Sequence, residues 1–355
     1  MTIGIDQSPL TNGNFQQHIV RGAGFYIKNL QKALLKYSEQ NTYVFFSQSN
    51  RLSRAVDVVH VPYFEPFFFT MPLVRKFPTI ITIHDFIPFI FPSHFPAGLR
   101  GNITWQFQKF LLRGIDGIIT DSVASKNDIV KHANIPKEKI YVVYLAADDK
   151  FKYAIDLDSE AQRVRRKYSL PEKFILYVGD ATWNKNLPRL IEAASKIDIP
   201  LVLVGKALVN QEYDKTNPWN KDLVLSQKLV KQNKKIITAG FIPTEDLVFL
   251  YHCASVFVMP SLYEGFGLPV LEAMSCGCPV VTTKNGSLAE VAGKACWIVD
   301  PFDIDNIADG IQRVFTDTKL QKILSEKGRE QAKKFSWKKT AFATLTVYKQ
   351  ICGNV

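Results

Sequence analysis

The sequence has no long apolar run. None of its 355 residues falls in a stretch approaching the roughly 20 apolar residues that span a bilayer, which excludes a membrane-crossing helix. The most aromatic region, Pro62 to Pro92, is broken by Glu65, Arg75, Lys76, His84 and Asp85. Cysteine is scarce. Five cysteines, an odd number without a C-x-x-C pair, make a poor disulfide framework, so a reducing compartment is expected. The six histidines do not cluster, and no metal site is expected. Met1 to Asp6 lacks the basic segment and apolar core of a secretory signal, so a cytoplasmic location is expected. There is no internal repeat, low-complexity segment, zinc-finger pattern or RNA-recognition signature. Positive charge is plentiful but dispersed. The net charge is +11, yet the densest short cluster is only Lys231 to Lys235. A dispersed surplus argues against nucleic acid as a partner. It reads first as a solvated surface and next as weak attraction to anionic lipid, and a phosphorylated substrate would also account for it.

The most informative stretch runs from Met259 to Glu290. Val256 to Val258 reads as a buried strand. A turn with two glycines follows, then a short helical pattern with Pro269 near its start, stopped by Gly277 and Pro279. Val280 and Val281 begin the next strand. A loop at the C-terminal end of a parallel strand is where open α/β sheets bind ligands. Gly265 and Gly267 allow close backbone approach, and the helix-start amides near Gly267 and Leu268 attract an anion. Glu264 and Glu272 flank that anion site, and a carboxylate can accept from two vicinal hydroxyls. Such a loop suggests a ligand with sugar at both ends and phosphate between. The plainer reading makes Glu272 a helix-dipole partner and Glu264 a solvated turn residue.

E-G-F-G-L-P-V-L-E, followed by A-M-S-C-G-C-P-V-V, resembles the E-x7-E motif of glycosyltransferase family 4. The resemblance extends from about Gly22 to Trp337. It implies a retaining, nucleotide-sugar-dependent enzyme of the GT-B fold, with two Rossmann-like, doubly wound parallel α/β domains facing across a cleft. It also implies that the donor site takes in Ser261, Gly265, Phe266, Gly267, Leu268 and Glu272, with Glu264 as a catalytic residue.

Other segments carry the same resemblance. Gly22 and Gly24 open a helical pattern from Phe25 to Tyr37 and match a loop that lies against the donor diphosphate. By itself a G-x-G is equally a tight helix entry. T-I-H-D-x-I-P places His84 where the family's histidine reaches the transferred sugar, with Asp85 orienting either the ring or the loop. Asp121-Ser122 opens a helix with Ser122 as N-cap. Lys185 matches a cation that meets the diphosphate and is the third candidate catalytic residue. Asn184, itself a candidate substrate-binding residue, and Asp180 stand where many members carry arginine, which leaves Lys206 as a substitute second cation. Gly240 and Phe241 match the turn beside the nucleotide base. The aromatic stretch Phe64 to Phe69 is read as buried under a loop, or else as an apolar acceptor or membrane contact.

The expected domains are 1–152 with a returning helix at 336–355, on the acceptor side, and 153–335, holding the nucleotide sugar. The linker is expected over Asp148 to Asp158. The expected reaction moves a hexose, mannose-like by overall resemblance, to a glycan or polyprenyl-linked hydroxyl without a metal or other cofactor. A nucleotide-sugar epimerase and a non-catalytic donor-binding protein are the alternatives. A phage-type DNA glycosyltransferase would need a clustered basic face that the sequence lacks.

Overall fold

The computed structural model describes residues 1–11, 22–47, 52, 55–152 and 157–353. The chain divides into two compact units. The N-terminal unit comprises residues 1–92, 97–146 and 335–355. Its strands are β1 (Thr2–Asp6), β2 (Thr42–Phe46), β3 (Val58–Val61), β4 (Thr79–Thr82), β5 (Gly117–Thr120) and β6 (Ile140–Val142). They pair in parallel in the order β2-β1-β3-β4-β5-β6. Strands β4 and β5 are buried along their whole length, as sheets covered on both faces require. The helices include α1 (Ala23–Tyr37), α2 (Gly98–Leu112) and α3 (Val123–Ala133). Ser122 caps α3, accepting from the Ser125 amide at 3.0 Å.

The C-terminal unit comprises residues 93–96 and 147–334. Its strands are β7 (Ile175–Val178), β8 (Leu201–Val204), β9 (Ile236–Gly240), β10 (Val256–Met259), β11 (Val280–Thr282) and β12 (Trp297–Ile298). The order is β12-β11-β10-β7-β8-β9, again parallel. From β7 the chain first builds outward through β8 and β9. It then returns to the other side of β7 with β10, so the direction of winding switches between β7 and β10. The helices include α4 (Leu157–Lys167), α5 (Leu187–Lys196), α6 (Lys221–Gln232), α7 (Thr244–Cys253), α8 (Leu268–Cys276), α9 (Ile304–Thr316) and α10 (Thr318–Ala332). Strand residues such as Ile175, Leu201 and Val256 form one core with Leu190 and Ile191 of α5 and Ile307 and Ile311 of α9.

The last helix, α11 (Trp337–Ile351), belongs to the N-terminal unit. It docks on α1, with Trp337 edge-on to Phe25 at 6.0 Å. A buried chain then runs inward. The Tyr348 hydroxyl meets His60 Nδ1 at 2.7 Å, His60 Nε2 meets Thr82 Oγ1 at 2.8 Å, and Thr82 meets the Tyr26 hydroxyl at 3.2 Å. Burial lowers the His60 pKa to about 3, so the ring stays neutral and can both donate and accept.

The family resemblance implied two doubly wound parallel sheets, and both are present. The expected linker is partly displaced. Residues 153–156 lie outside the described residues, but Phe151 is buried and packs on Tyr251 at 5.8 Å, and α4 begins at Leu157. Polar composition hid α4. Among its described side chains Val164 is the one fully buried apolar residue, and its cations pair with Asp246, from Arg163 at 2.6 Å and from Lys167 at 2.6 Å. Likewise α6 went unforeseen, because polar Ser226 and Gln227 fill part of its buried face.

Candidate active site

In the C-terminal unit, most of the candidate residues gather along one edge of the sheet. Lys185 follows β7, Lys206 follows β8, Phe241 follows β9, and Ser261 to Leu268 follow β10. All lie beyond the carboxyl ends of adjacent strands, and the winding switch falls between the loops after β7 and β10. That is the binding position expected of a doubly wound sheet.

Two charges meet at the switch. Lys185 Nζ lies 2.8 Å from both Glu264 oxygens. Glu264 is buried, and Ser261 Oγ donates to its Oε1 at 2.7 Å. With about two acceptor positions per oxygen, Oε1 is filled and Oε2 keeps one. Glu264 therefore cannot grip a vicinal diol with both oxygens while it holds Lys185, which narrows the expected role to one further hydroxyl.

The loops around this pair are held from several sides. Gly286 sits at φ +60, and a Cβ there would lie 2.5 Å from the Glu264 carbonyl oxygen. Ser287 donates its amide and its hydroxyl to that same oxygen, at 3.1 and 3.0 Å. Thr283 and Asn285 hold the carbonyls of Ser261 and Leu262 at 2.8 and 3.1 Å. Sequence reasoning passed over these residues, although Asn285-Gly286 is a turn signal.

Asn184 differs from its expected role on substrate. Its side chain is buried, accepting from Thr182 Oγ1 at 2.8 Å and donating to the Tyr263 carbonyl at 3.1 Å. Its own carbonyl accepts from the Leu262 amide at 2.7 Å. Asn184 thus ties the loop after β7 to the loop after β10 and brings Lys185 to Glu264. Asn186 adds a second tie, with its amide on the carbonyls of Pro260 and Pro301 at 2.9 and 2.7 Å. Arg189, one helical turn past Lys185, donates to Asn186 Oδ1 at 2.8 Å. It is a cation near the site that the sequence reading did not single out.

Gly267 caps α8 at φ +92, and a Cβ there would come 2.8 Å from Leu288 Cδ2. Glycine is required there by backbone conformation and packing, whatever approaches from outside. Phe266 and Gly265 are buried beside it, and Leu268 is half-buried. Glu272, half-buried on α8, accepts from the Tyr251 hydroxyl at 3.0 Å. Burial holds the Tyr251 phenol far above its ordinary pKa, so it remains a donor. Lys206 and Phe241 are exposed.

In the N-terminal unit, His84 follows β4 and meets Asp121, which follows β5. His84 Nδ1 lies 2.7 Å from Asp121 Oδ2. Tyr26 stands edge-on to the imidazole at 5.0 Å, and Ser125 Oγ donates to the His84 carbonyl at 3.0 Å. The buried His84 Nε2 has no partner among the described residues. Asp85 accepts from the Ile87 amide at 3.0 Å, as its loop-orienting role requires, and its charge also acts on the ring. Asp121, expected only to open a helix, is the orienting carboxylate. Gly22 is the exposed N-cap of α1, with open space where a Cβ would be. Gly24 is buried in the first turn. The preceding residues, 12–21, lie outside the described residues.

Burial lowers the His84 pKa, but Asp121, then Asp85 and Glu65, more than reverse this and leave it above the ordinary 6.5. A pKa raised by folding adds stability that is present below about 6.5 and lost as pH rises through the folded value. Asp121→Asn should therefore shift the His84 ring titration, followed by NMR, to lower pH. It should also flatten the pH dependence of stability above about 6.5. An unchanged titration would mean that Asp121 does not control the ring.

Comparison with known proteins now places the chain. Residues 13–151 match the family described as Glycosyltransferase Family 4, and residues 158–331 match Glycosyl transferases group 1. O-antigen chain mannosyltransferase B of Escherichia coli is 34% identical over 282 residues, covering 76% of this chain and 70% of that one. The chain belongs to glycosyltransferase family 4. The serotype-specific mannosyltransferase WbdA of E. coli is 28% identical over 75% of this family-4 chain, which spans only 33% of WbdA. Among solved structures, sucrose-phosphate synthase from Thermosynechococcus elongatus superposes with a TM-score of 0.76 at 19% identity, covering 100% of both chains. HepE from Anabaena, in complex with UDP and glucose, gives 0.70 at 16% identity over 99% and 98%. These likenesses establish the GT-B fold. The family-4 protein is an enzyme that transfers glycosyl groups.

Proposed function

We propose that this enzyme moves a hexose, mannose in the first instance, from a nucleoside diphosphate sugar to a hydroxyl of a glycan or polyprenyl-linked acceptor, with retention at the anomeric carbon. The observation that carries the reading is the Lys185–Glu264 pair at the winding switch, in the loop that leads into α8. A cation and a helix start at one strand edge suit a diphosphate. Mannose is favoured because relatives of this chain bear the name mannosyltransferase. The acceptor oxygen bonds to the anomeric carbon as the sugar–phosphate bond breaks on the same face. The electron pair leaves with the diphosphate, which takes the acceptor's proton. Lys185, helped by Lys206 or Arg189, stabilises that developing charge. Glu264 offers its remaining Oε2 position to one sugar hydroxyl. Phe241 stacks on the base, and Glu272 accepts from the ribose. By the family resemblance Gly22 and Gly24 are read as diphosphate contacts, and His84 Nε2 as a contact to a substrate hydroxyl. No metal takes part.

The test is a panel of radiolabelled nucleotide sugars, with and without lipid-linked and oligosaccharide acceptors, in the presence of a chelator. Transfer with an α-linked product from an α-linked donor is expected. Isomerised donor would mean an epimerase, silence a donor-binding protein, and chelator sensitivity a metal enzyme. For Glu272, replacement by glutamine keeps an acceptor for Tyr251 but removes the charge. A lost charged hydrogen bond costs about 1.5–3 kcal/mol, so nucleoside diphosphate binding should weaken roughly 10- to 100-fold by calorimetry. Unchanged affinity would remove Glu272 from the donor site.

A further inference from the structure

The winding of the N-terminal sheet reverses as well. From β1 the chain adds β2 on one side and then crosses to the other with β3, so the switch falls between β1 and β3. Beyond the carboxyl ends of such a pair a doubly wound sheet binds its ligand. A hydrogen bond bridges this point. The Tyr63 hydroxyl, just past β3, donates to Oδ2 of Asp6, the last residue of β1, at 3.1 Å. Ser8 donates its amide at 2.8 Å, and also its hydroxyl, to Asp6 Oδ1. With about two acceptor positions per oxygen, Oδ1 is filled and Oδ2 keeps one.

The charge along this edge has one sign. Strands β1, β3, β4 and β5 are neighbours, and at or just beyond their carboxyl ends stand Asp6, Glu65, Asp85 and Asp121. Glu65, Asp85 and Asp121 all act on the His84 ring, so three of the four share one place. Among the described residues, the loops that leave these strands contain one arginine and one lysine, Arg75 and Lys76. Both come just ahead of β4, and the Arg75 guanidinium reaches Gly114, just ahead of β5, so both lie toward the opposite edge. Lys126, the first cation of α3, donates to the carbonyl of Ile140, where β6 begins, at 2.7 Å.

Several polar atoms at this edge lack a partner. Asp121 is only 3% exposed, and its Oδ1, like His84 Nε2, is buried with no partner among the described residues. Glu65 is open to solvent on one side. Thr70 and Gln108 engage its amide and its carbonyl, but no described residue hydrogen-bonds its carboxylate. Lost water and neighbouring Asp85 push its pKa up to about 7, against the pull of His84. Burial raises that of Asp6 too, against the hydrogen bonds from Ser8 and Tyr63. A further negative charge is therefore unwelcome here. A hydroxyl donates a hydrogen bond without bringing charge, and a carboxylate accepts from two of them.

We propose that this edge selects an uncharged acceptor: it seats the hydroxyl-rich end of a neutral glycan against Asp6, Tyr63 and Glu65, and it turns away a sugar that carries phosphate or carboxylate there. This rests on the reading of the enzyme as a hexosyltransferase and names the class of its acceptor. Like charges placed together suppress a wrong partner more strongly than good contacts favour a right one. A lipid-linked acceptor then enters by sugars remote from its diphosphate.

The test reads binding, so it does not wait on turnover. A neutral methyl mannobioside is compared with the same compound carrying a phosphate on its terminal sugar, by ligand-observed NMR in the presence of a nucleoside diphosphate. Wild type should bind the neutral compound more tightly by roughly tenfold or more. Glu65→Lys changes an exposed side chain, so its melting temperature should match wild type, while the preference should shrink by roughly tenfold or more. Asp6→Asn keeps an oxygen for Ser8 and should weaken binding of the neutral compound by roughly tenfold. Its affinity for the nucleoside diphosphate, by calorimetry, should stay that of wild type. Equal or tighter binding of the phosphorylated compound by wild type would overturn the proposal, and so would an unchanged preference in Glu65→Lys. Failure of the transferase reading looks different: no transfer in the radiolabelled panel, with the preference for the neutral compound intact.

Discussion

Lys185→Ala is expected to lower kcat by roughly 10²–10³-fold, the loss seen when one preorganised charge-stabilising group is removed. At about 4 Å and an effective dielectric of about 20, a unit charge pair is worth roughly 4 kcal/mol. Part of this acts on the bound donor and appears in KM. The rest grows as the sugar–phosphate bond breaks, and it appears in kcat. From the sequence alone this variant should melt like wild type, because a cation at a helix start does not stabilise the free protein. The structure reverses that expectation. Lys185 is the charge partner of a buried carboxylate, so removing it strands Glu264 in a site that excludes water. Breaking such a pair costs about 3–5 kcal/mol. At the lower end, the C-terminal unit should melt roughly 6–12 °C earlier. Steady-state kinetics and calorimetry measure the two losses separately. Wild-type turnover from a saturating donor would mean that Lys206 or Arg189 holds the diphosphate instead.

Glu264→Gln should be nearly as damaging, for the complementary reason. The ammonium of Lys185 keeps one oxygen partner but loses its counter-charge, and kcat should fall by about 10²-fold. The informative variant is the double replacement Lys185→Met with Glu264→Leu. A buried ion pair exchanged whole for apolar side chains of similar volume is often neutral in stability. The double variant should therefore recover at least half of the stability lost by Lys185→Ala while remaining inactive. Additive losses in stability would show that the two groups are not energetically coupled. Recovery of activity with stability would show that the pair serves the fold alone.

The elements were legible wherever an apolar run was short and uninterrupted. Val256 to Val258 was expected as a strand and Val280 as the start of the next, and β10 and β11 run Val256–Met259 and Val280–Thr282. Gly277 stops α8 in the left-handed conformation, as its position after the helical pattern implied. Helices α4 and α6 were not legible. Ion pairs and buried amides such as Arg163–Asp246 and Gln227 interrupt their hydrophobic period, although Leu223, Leu229 and Val230 of α6 do pack on the core.

By itself the sequence determined the two alternating α/β halves, the strand-end loops and the glutamates of the E-x7-E motif. These are local properties, set by period, turn residues and which side chains the backbone tolerates. Only the tertiary structure decided what those loops do to one another. Asn184 turns inward because the β10 loop offers it a carbonyl, and Lys185 meets Glu264 because β7 and β10 are neighbours across the winding switch. His84 meets Asp121 because β4 and β5 pair in register. The aromatic rings of residues 68 and 69 stay outside because Gln108, some forty residues on, holds their loop from within. A pattern along the chain encodes which face is buried. The partner on that face is fixed by sheet order, which brings together residues that the sequence keeps far apart.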